Sequence, residues 1–252
     1  MSDKFNLPTE VIELPSKGLL YPEGHPLAEG KVEIKYMTAK EEDILTNQNY
    51  IKNGSVIDRL LQSLIVTKFD YNDLLTGDKN AIMIAARILA YGAKYDVTYN
   101  GVDQEIDLSI LENLPIDESL YKRGENEFSY TLPHTKNDVT FKILTGHDER
   151  KIEAELKSLK KISKTASNEV TVRLYRTITS VNGSTEAKDI KEFTSNYFLA
   201  KDVREFRKYY KSVNPDVDMD VTVINDEGEE EIVALPIGLS FFWPDLWGRN
   251  PS

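Results

Sequence analysis

The sequence predicts an α+β protein with two small helical modules, each followed by a β-hairpin, behind an extended N-terminal arm. Tyr95-DVTYNGVDQEIDLSIL and Met219-DVTVINDEGEEEIVALPIG both open on Asp-Val-Thr, pass through a polar turn and return through Glu-Ile to a leucine. Each stretch follows a run with helical spacing. Asn100-Gly101 is the strongest short hairpin signal. The order helix–hairpin therefore occurs twice, although chance similarity between alternating sequences competes with a true repeat.

Composition limits the class of protein and its partners. The chain has 252 residues, enough for one large or two small domains, and a formal charge of −11. An acidic chain repels phosphates, so we expect no nucleic-acid partner. The lack of cysteine excludes disulfides, thiolate metal ligands and a cysteine nucleophile. No run is apolar enough for a membrane span or a signal peptide, so we expect synthesis in the cytoplasm and no membrane partner.

Residues 1–35 are predicted to form an extended arm, because four prolines and three glycines leave no room for a helix. The run from Val11 to Pro22 is too apolar for a free tail. The arm therefore covers a surface, either of its own domain, which we favour slightly, or of a neighbouring subunit. The partner-binding candidates in the arm are Leu14, Leu19, Leu20 and Tyr21. Lys31-VEIKYM alternates at period two and is predicted to be a strand.

Residues 36–115 are predicted to form a helical module that ends in the first hairpin. Thr38 caps the first helix, and Glu41 completes a capping box. An amphipathic second helix follows. The third helix extends from its N-cap Asp78 to Gly92 and is apolar nearly all round, so it is predicted to be the buried centre of the domain.

Arg87 is the lone interior charge of that third helix. An unpaired buried charge is costly, so we expect its guanidinium to reach a carboxylate or the surface. A ligand-binding role for this arginine is less favoured.

Residues 116–147 are predicted to be a β-rich link, with strand-like runs at Phe128-SYTL and Val139-TFKIL. Residues 148–252 are predicted to form a second helical module with the second hairpin and an aromatic C-terminal tail. Its first helix has a narrow apolar stripe, which packs at the edge of a core or against a partner helix. The stripe consists of Ile152, Leu156, Leu159 and Ile162.

The segment 170–181 has two readings. Its many β-branched residues favour a strand, whereas the spacing of its apolar residues also fits a helix. Two short helices are predicted after it, at Asp189–Leu199 and Asp202–Val213, and the second hairpin follows.

The C-terminal stretch Leu239-SFFWPDLWG contains two phenylalanines and two tryptophans. Burying each aromatic side chain stabilises a protein by about 2–3 kcal/mol. We predict that Phe241 and Phe242 close the core. Trp243 and Trp247 are predicted to bind a partner, because tryptophan is enriched at interface hot spots.

The sequence contains no pattern that is typical of an enzyme or a metal site. Its three histidines, His25, His134 and His147, lie far apart in turn-like segments and are expected to be exposed. A glycine-rich phosphate loop and a Gly-x-Ser-x-Gly motif are absent. We therefore expect no catalytic residue, no cofactor and no bound metal.

The stretch Asp216-VDMDVTVINDE has part of the spacing of a calcium-binding EF-hand loop. Asp218 and Asp220 continue the pattern, and Glu227 falls at position 12. However, position 6 needs a glycine for the turn and holds Val221, which opens a strand-like run. A solvated strand entry is strongly favoured.

The helix predicted at Asp202–Val213 has a basic face formed by Arg204, Lys208 and Lys211. Because the whole chain is acidic, we interpret this face as solvated, or as a patch that meets an acidic partner protein.

Several stretches resemble the family of T-even-type phage baseplate hub and hub-assembly proteins. They are Leu14-PSKGLLYP, Asp73-LLTGDKNAIMIAARILAYGAKYDVTY, Ile178-TSVNG and Pro236-IGLSFFWPD. In larger members of that family a comparable helix precedes a small ribbon that often carries Cys-x-x-Cys, and a second ribbon precedes Phe-Phe-Trp.

The resemblance implies that the two hairpins are degenerate, metal-free ribbons, which we expect to be held by backbone and core contacts alone. It also favours a helix over 170–181 that ends at the Asn182-Gly183 turn. It implies a late phage protein without enzymatic activity, made in the host bacterial cytoplasm and located in the tail baseplate of the virion. Its expected partners are other baseplate and tail proteins, with copies of itself in a symmetric assembly as a further option.

Three functions remain open from the sequence. The first is a structural component of the hub region of a contractile-phage baseplate, which binds its neighbours through the arm and the aromatic terminus. The second is an assembly chaperone of the same tail that is absent from the mature virion. The third, a host-interacting or metal-dependent enzyme, lacks the residue types it needs.

Overall fold

The computed structural model describes residues 7–162, 168–235 and 237–242. In these ranges short helices surround small antiparallel sheets of two or three strands, so the predicted α+β class is confirmed. None of the helices described is both long and apolar enough to cross a lipid bilayer.

The N-terminal arm begins as strand β1 (Thr9–Glu13), which pairs antiparallel with β2 (Lys31–Lys35), the strand predicted from the sequence. Between these strands the chain passes through tight turns in which Gly18 and Gly30 have φ angles of 76° and 71°. A Cβ on either glycine would collide with the backbone of the facing turn. The turns therefore require glycine at both positions.

Three short helices follow the arm. They are α1 (Ala39–Leu45), α2 (Gln48–Lys52) and α3 (Val56–Leu64). The capping box predicted for α1 is present, because the Glu41 carboxylate accepts hydrogen bonds from the backbone N–H and the hydroxyl of Thr38 at 3.0 and 2.6 Å.

The Glu41 carboxylate also joins α1 to its neighbours. It accepts hydrogen bonds from Lys35 of β2 at 2.8 Å and from Ser63 of α3 at 2.6 Å. Burial raises the pKa of Glu41, but the bonds from Lys35, Ser63 and Thr38 outweigh this effect and hold the pKa at about 2.

Helix α4 (Thr76–Tyr91) is buried on most of its surface, as its apolar sequence predicts. It ends at Gly92, which has a φ angle of 86°. The prediction that Asp78 caps this helix is wrong, because α4 starts earlier and Asp78 lies in its first turn. Gly77 lets the carbonyl of Pro215 approach so closely that a Cβ would collide with it.

The first predicted hairpin is confirmed, with β3 (Lys94–Tyr99) paired to β4 (Val102–Asp107). Its two-residue turn places Asn100 and Gly101 at φ angles of 47° and 79°. Positive φ at both positions is typical of a type I′ turn, which Asn-Gly favours.

A three-stranded sheet joins the predicted link to the second module. Its strands are β5 (Phe128–Thr131), β6 (Asp138–Phe141) and β7 (Ile178–Val181). Helices α5 (Gly146–Ile162) and α6 (Glu169–Thr177) connect β6 to β7.

The ambiguous segment 170–181 is therefore helical up to Thr177 and a strand from Ile178 onward. The continuous helix that the resemblance favoured is wrong for the last four residues. Pairing with β6 decides the outcome, since the hydroxyl of Thr140 lies 2.6 and 2.7 Å from those of Thr179 and Ser180.

The apolar stripe of α5 packs at the edge of the fold against α6. Ile152 is buried in a small cluster with Leu144 and Val172, and the next two residues of the stripe pack against it. The side chain of Ile162 lies outside the described residues. An edge position, one of the two options left by the sequence, is thus the observed one.

The rest of the described chain contains α7 (Ala187–Glu192), a π-helical turn (Phe193–Tyr197) and α8 (Ala200–Val213). The second predicted hairpin is confirmed, with β8 (Asp220–Ile224) paired to β9 (Glu230–Ala234).

One main hydrophobic core contains side chains of the arm, of both predicted modules and of the link, from Leu14 to Phe242. The domain boundaries predicted near residues 35, 115 and 147 stay a prediction.

The carboxylate of Asp78 is fully buried and holds the arm on the domain. It accepts hydrogen bonds from the N–H of Ser16 at 3.0 Å and from the hydroxyls of Ser16 and Tyr21, both at 2.7 Å. The Tyr21 hydroxyl accepts in turn from the N–H of Leu75 at 3.1 Å. Burial raises the pKa of Asp78 to about 6, although all three donors favour its charged form.

We predict that Asp78→Ala lowers the free energy of unfolding by about 3 kcal/mol or more, because it leaves three buried donors without an acceptor. Urea unfolding followed by circular dichroism measures the effect. The control is Asp107→Ala, which removes an exposed carboxylate that caps a short turn through Ser109. That change should cost about 1 kcal/mol. Equal losses in the two variants would contradict a special role for Asp78.

We also predict a pH effect. The pKa of Asp78 rises from its ordinary value of 3.8 to about 6 on folding, so the folded state holds this proton more tightly than the unfolded state. The contribution of Asp78 to stability therefore falls as pH rises from about 4 to about 6, and is constant above that range. Asp78→Asn cannot titrate. Its free energy of unfolding, measured with urea at pH 4.5, 5.5 and 7, should therefore lack the part of the pH dependence that comes from Asp78. An identical pH profile for both proteins would refute the assignment.

Candidate functional site

The four partner-binding candidates in the arm do not face solvent. Leu14, Leu19, Leu20 and Tyr21 are all buried within the chain itself. The arm thus covers its own domain, and these four side chains offer little exposed surface. Their part in partner binding stays a prediction. Phe241 and Phe242 are fully buried, as predicted. Trp243 and Trp247 lie outside the described residues.

Among the described residues Arg87 reaches no carboxylate, and it is only 7% exposed, so neither of the two expected environments is observed. Its guanidinium donates hydrogen bonds to the carbonyls of Gly92, Lys94 and Phe241 at 3.1, 3.4 and 3.0 Å. The rings of Tyr91 and Tyr95 lie 5.0 and 5.6 Å from it. Burial lowers the pKa of Arg87. This side chain joins the end of α4, the start of β3 and the C-terminal turn, so its role is structural.

The two hairpins lie side by side. The side chain of Gln104 in β4 exchanges two hydrogen bonds with the backbone of Ile224 in β8, at 3.0 and 2.8 Å. The hydroxyl of Tyr99 donates to Glu231 of β9 at 2.7 Å. The two ribbons therefore form a joint unit at one end of the fold.

The second hairpin turn does not rely on backbone and core contacts alone, so that expectation is wrong. The side chain of Asn225 accepts from the N–H groups of Glu227 and Glu229, both at 2.9 Å, and donates to Glu231 at 2.6 Å. An asparagine that bonds its own loop organises the turn locally.

The residues with EF-hand spacing do not form a calcium loop. Asp216 accepts a hydrogen bond from Asn80 at 2.9 Å, and Asp218 accepts from the N–H of Asp220, which already begins β8. The strand interpretation is confirmed.

Two of the three histidines approach the same aspartate. Nε2 of His25 and Nε2 of His147 each lie 3.3 Å from a carboxylate oxygen of Asp73. His134 has no such neighbour in the part of the chain that the structure describes, where its backbone N–H donates to Asp202. The sequence gives no signal for this meeting, because the three residues lie on segments far apart in the chain.

Three hollows lie along α6 and α8, and Arg207 is in the lining of each. A hollow of about 500 Å³ is lined by Leu174 and Phe206 and bordered by Arg207. A second hollow, of about 550 Å³, continues from Leu174 toward the π-helical turn, and a third, of about 620 Å³, opens beside Leu114. Arg207 borders all three, and we refer to them together as the α6–α8 groove.

The floor of the groove is largely apolar. Phe206 is buried beneath it, and Val170 on the α6 side is half exposed. Burial raises the pKa of Tyr210 to about 12, and its hydroxyl accepts a weak hydrogen bond from the N–H of Leu144 at 3.4 Å. A side chain that entered this groove would therefore bury apolar surface.

The edge of the groove on α8 carries positive charge. Within the described residues, neither Arg207 nor Lys211 has a carboxylate within 4 Å, and Lys208 is paired with Glu205 at 2.9 Å. Arg173 on the opposite wall is already paired with Glu149 at 2.9 Å. The sequence indicated the basic face of α8, but it did not reveal the α6 wall because the nature of segment 170–181 was open.

Comparison with known protein families identifies the class of the chain. Residues 8–243 match the family model described as T4 bacteriophage base plate protein. This match covers most of the chain, which therefore belongs to that family and is a component of a T4-type phage baseplate, in the tail of the virion. No curated protein and no solved structure matches the chain.

We predict that Arg207→Glu changes the free energy of unfolding by less than about 0.5 kcal/mol, because this arginine has no ion-pair partner in the described structure. Phe206→Ala, at the neighbouring position, should cost about 3–5 kcal/mol because it empties a core site. Thermal and urea unfolding of both variants test the contrast. A large loss in Arg207→Glu would show that the groove edge is required for folding.

Proposed function

We propose that this baseplate protein is a non-enzymatic component of the hub region that binds neighbouring tail proteins through the α6–α8 groove. The observation that carries the proposal is the position of Arg207, a cation without an ion-pair partner among the described residues, in the lining of three partly apolar hollows. The resemblance of four sequence stretches to hub and hub-assembly proteins supports the hub location.

The chemistry of the groove favours one kind of partner segment. An apolar floor accommodates side chains such as leucine or phenylalanine, and a cationic edge attracts carboxylates. The best match is an acidic, amphipathic segment of a neighbouring tail protein. Charge complementarity also favours this choice, since the rest of this chain is strongly acidic and would repel such a segment elsewhere.

The buried ionisable groups support a structural role. Asp78 and Arg87 use their hydrogen bonds to hold the arm and the C-terminal turn, and Glu41 joins α1 to β2 and α3. These groups are saturated by contacts within the fold. Their environments are those of structural links and not of groups poised for proton transfer.

The test compares phage that carry the double variant Arg207→Glu and Lys211→Glu with phage that carry a control of equal charge change, Lys40→Glu and Lys188→Glu. The control positions are exposed, lie on α1 and α7, and are not among the residues that line the groove. Quantitative mass spectrometry of purified virions measures the amount of this chain in each particle.

We expect stoichiometric peptides in wild-type and control virions and a reduction on the order of tenfold in the groove variant, since reversed charges repel the partner segment. Equal amounts of this chain in all three kinds of virion would refute the proposal that the groove binds a partner. If the chain is absent from wild-type virions but is required during tail assembly, the protein is an assembly chaperone and not a component of the virion.

A further inference from the structure

Two aspartates and a histidine bring three metal-binding atoms together where the turn before α4 meets the start of α5. Nε2 of His147 lies 3.4 Å from Oδ2 of Asp70 and 3.3 Å from Oδ1 of Asp73. All three atoms lie within 4.8 Å of one another. The side chains are partly exposed, so an ion from solution can reach them.

These separations fit a shared ion as well as direct ion pairs. Charge-assisted N–H···O bonds are usually about 2.7–2.9 Å long. Zn²⁺ binds nitrogen and carboxylate oxygen at about 2.0–2.1 Å, so two ligand atoms of a tetrahedral site lie about 3.3–3.4 Å apart. Both separations that involve Nε2 of His147 have this length.

Asp70 is held with one oxygen free for an ion. Its Oδ1 accepts hydrogen bonds from the N–H and the side-chain amide of Asn72, at 2.9 and 2.8 Å, which leaves Oδ2 directed at His147.

Asp73 also has one carboxylate oxygen in contact with a neighbour, in this case His25, and the other free for an ion. Nδ1 of His25 accepts from the N–H of Leu27 at 3.1 Å, so the ring proton of neutral His25 is on Nε2, which lies 3.3 Å from Oδ2 of Asp73. The other carboxylate oxygen, Oδ1, faces His147. A histidine that supports a metal-ligating carboxylate is a common arrangement around bound metals.

An unpaired oxygen in the same turn is a separate observation. Of the described residues, only Asn72 has a buried side-chain oxygen without a hydrogen-bond partner. Its amide nitrogen donates to Oδ1 of Asp70, so the orientation of the amide is fixed and the side-chain oxygen of Asn72 remains an unused acceptor. Unused buried acceptors are rare in proteins.

The local charge balance also favours a cation. Asp70 and Asp73 contribute two negative charges. The cations that face them are Arg150, which lies near Asp70, and the two histidines when protonated. A neutral imidazole and two carboxylates are a donor set typical of Zn²⁺.

We propose that Asp70, Asp73 and His147 bind a divalent metal ion, with Zn²⁺ as the ion that the geometry fits best, and that His25 positions Asp73. The ion fixes the turn at 70–73 to the start of α5 and, through His25, to the arm. None of these four residues lines the α6–α8 groove or belongs to either hairpin.

The test uses the full chain after dialysis against a chelator. Calorimetric titration with Zn²⁺ and the visible spectrum of a Co²⁺ adduct measure binding and geometry. We expect one Zn²⁺ per chain, a Co²⁺ spectrum typical of four ligands and a higher melting temperature with Zn²⁺. His147→Ala and Asp70→Ser should each abolish these effects. Asp70→Ser retains a side-chain oxygen that can cap the turn, so loss of binding would not reflect a lost cap.

His134→Ala is the matched control, because it removes a histidine outside the site and should bind Zn²⁺ like the wild type. His25→Ala should weaken binding about 10–100-fold without abolishing it, as expected for a residue that only positions a ligand. No Zn²⁺ binding by the wild type at 100-fold excess, or equal binding by wild type and His147→Ala, would overturn the proposal.

Discussion

A carboxylate that leaves water loses its hydration, and the fold must provide donors in return or push the carboxylate toward its neutral form. Asp78 meets this requirement with the backbone and hydroxyl of Ser16 and the hydroxyl of Tyr21. The donors come from the arm and the acceptor from the central helix, so neither can be buried without the other. The position of the arm, and the burial of the leucines around Tyr21, depend on this contact.

Burial of the arm changes which surface is available to a partner. Most large apolar side chains of the arm are buried in the core. Partly apolar hollows remain along α6 and α8, beside positive charge that has no ion-pair partner among the described residues. The same central helix that holds the arm through Asp78 holds the first hairpin and the C-terminal turn through Arg87. Both ends of α4 thus contact segments that are distant in the chain, and the start of α4 contributes to one side of the groove.

The hairpins show how a short ribbon can be organised without cysteine. The two ribbons bond to each other through Gln104 and Tyr99, and the second turn is bonded internally by Asn225. Side-chain hydrogen bonds supply local order that a two-stranded ribbon rarely has alone. The metal-binding donor set proposed for this chain lies elsewhere, at the junction of the 70–73 turn with α5, and it would stabilise a different connection.

The sequence by itself determined the features that depend on neighbouring residues. The Asn100-Gly101 turn, the end of α4 at Gly92 and the capping box at Glu41 each follow from backbone preferences within a few positions. Family membership and the mixed fold class were also accessible, because they rest on patterns spread along the whole chain. Tertiary structure decided the rest. The start of α4, the change from helix to strand at Ile178 and the meeting of His25 with His147 depend on contacts between distant segments, whose energies local sequence patterns do not contain.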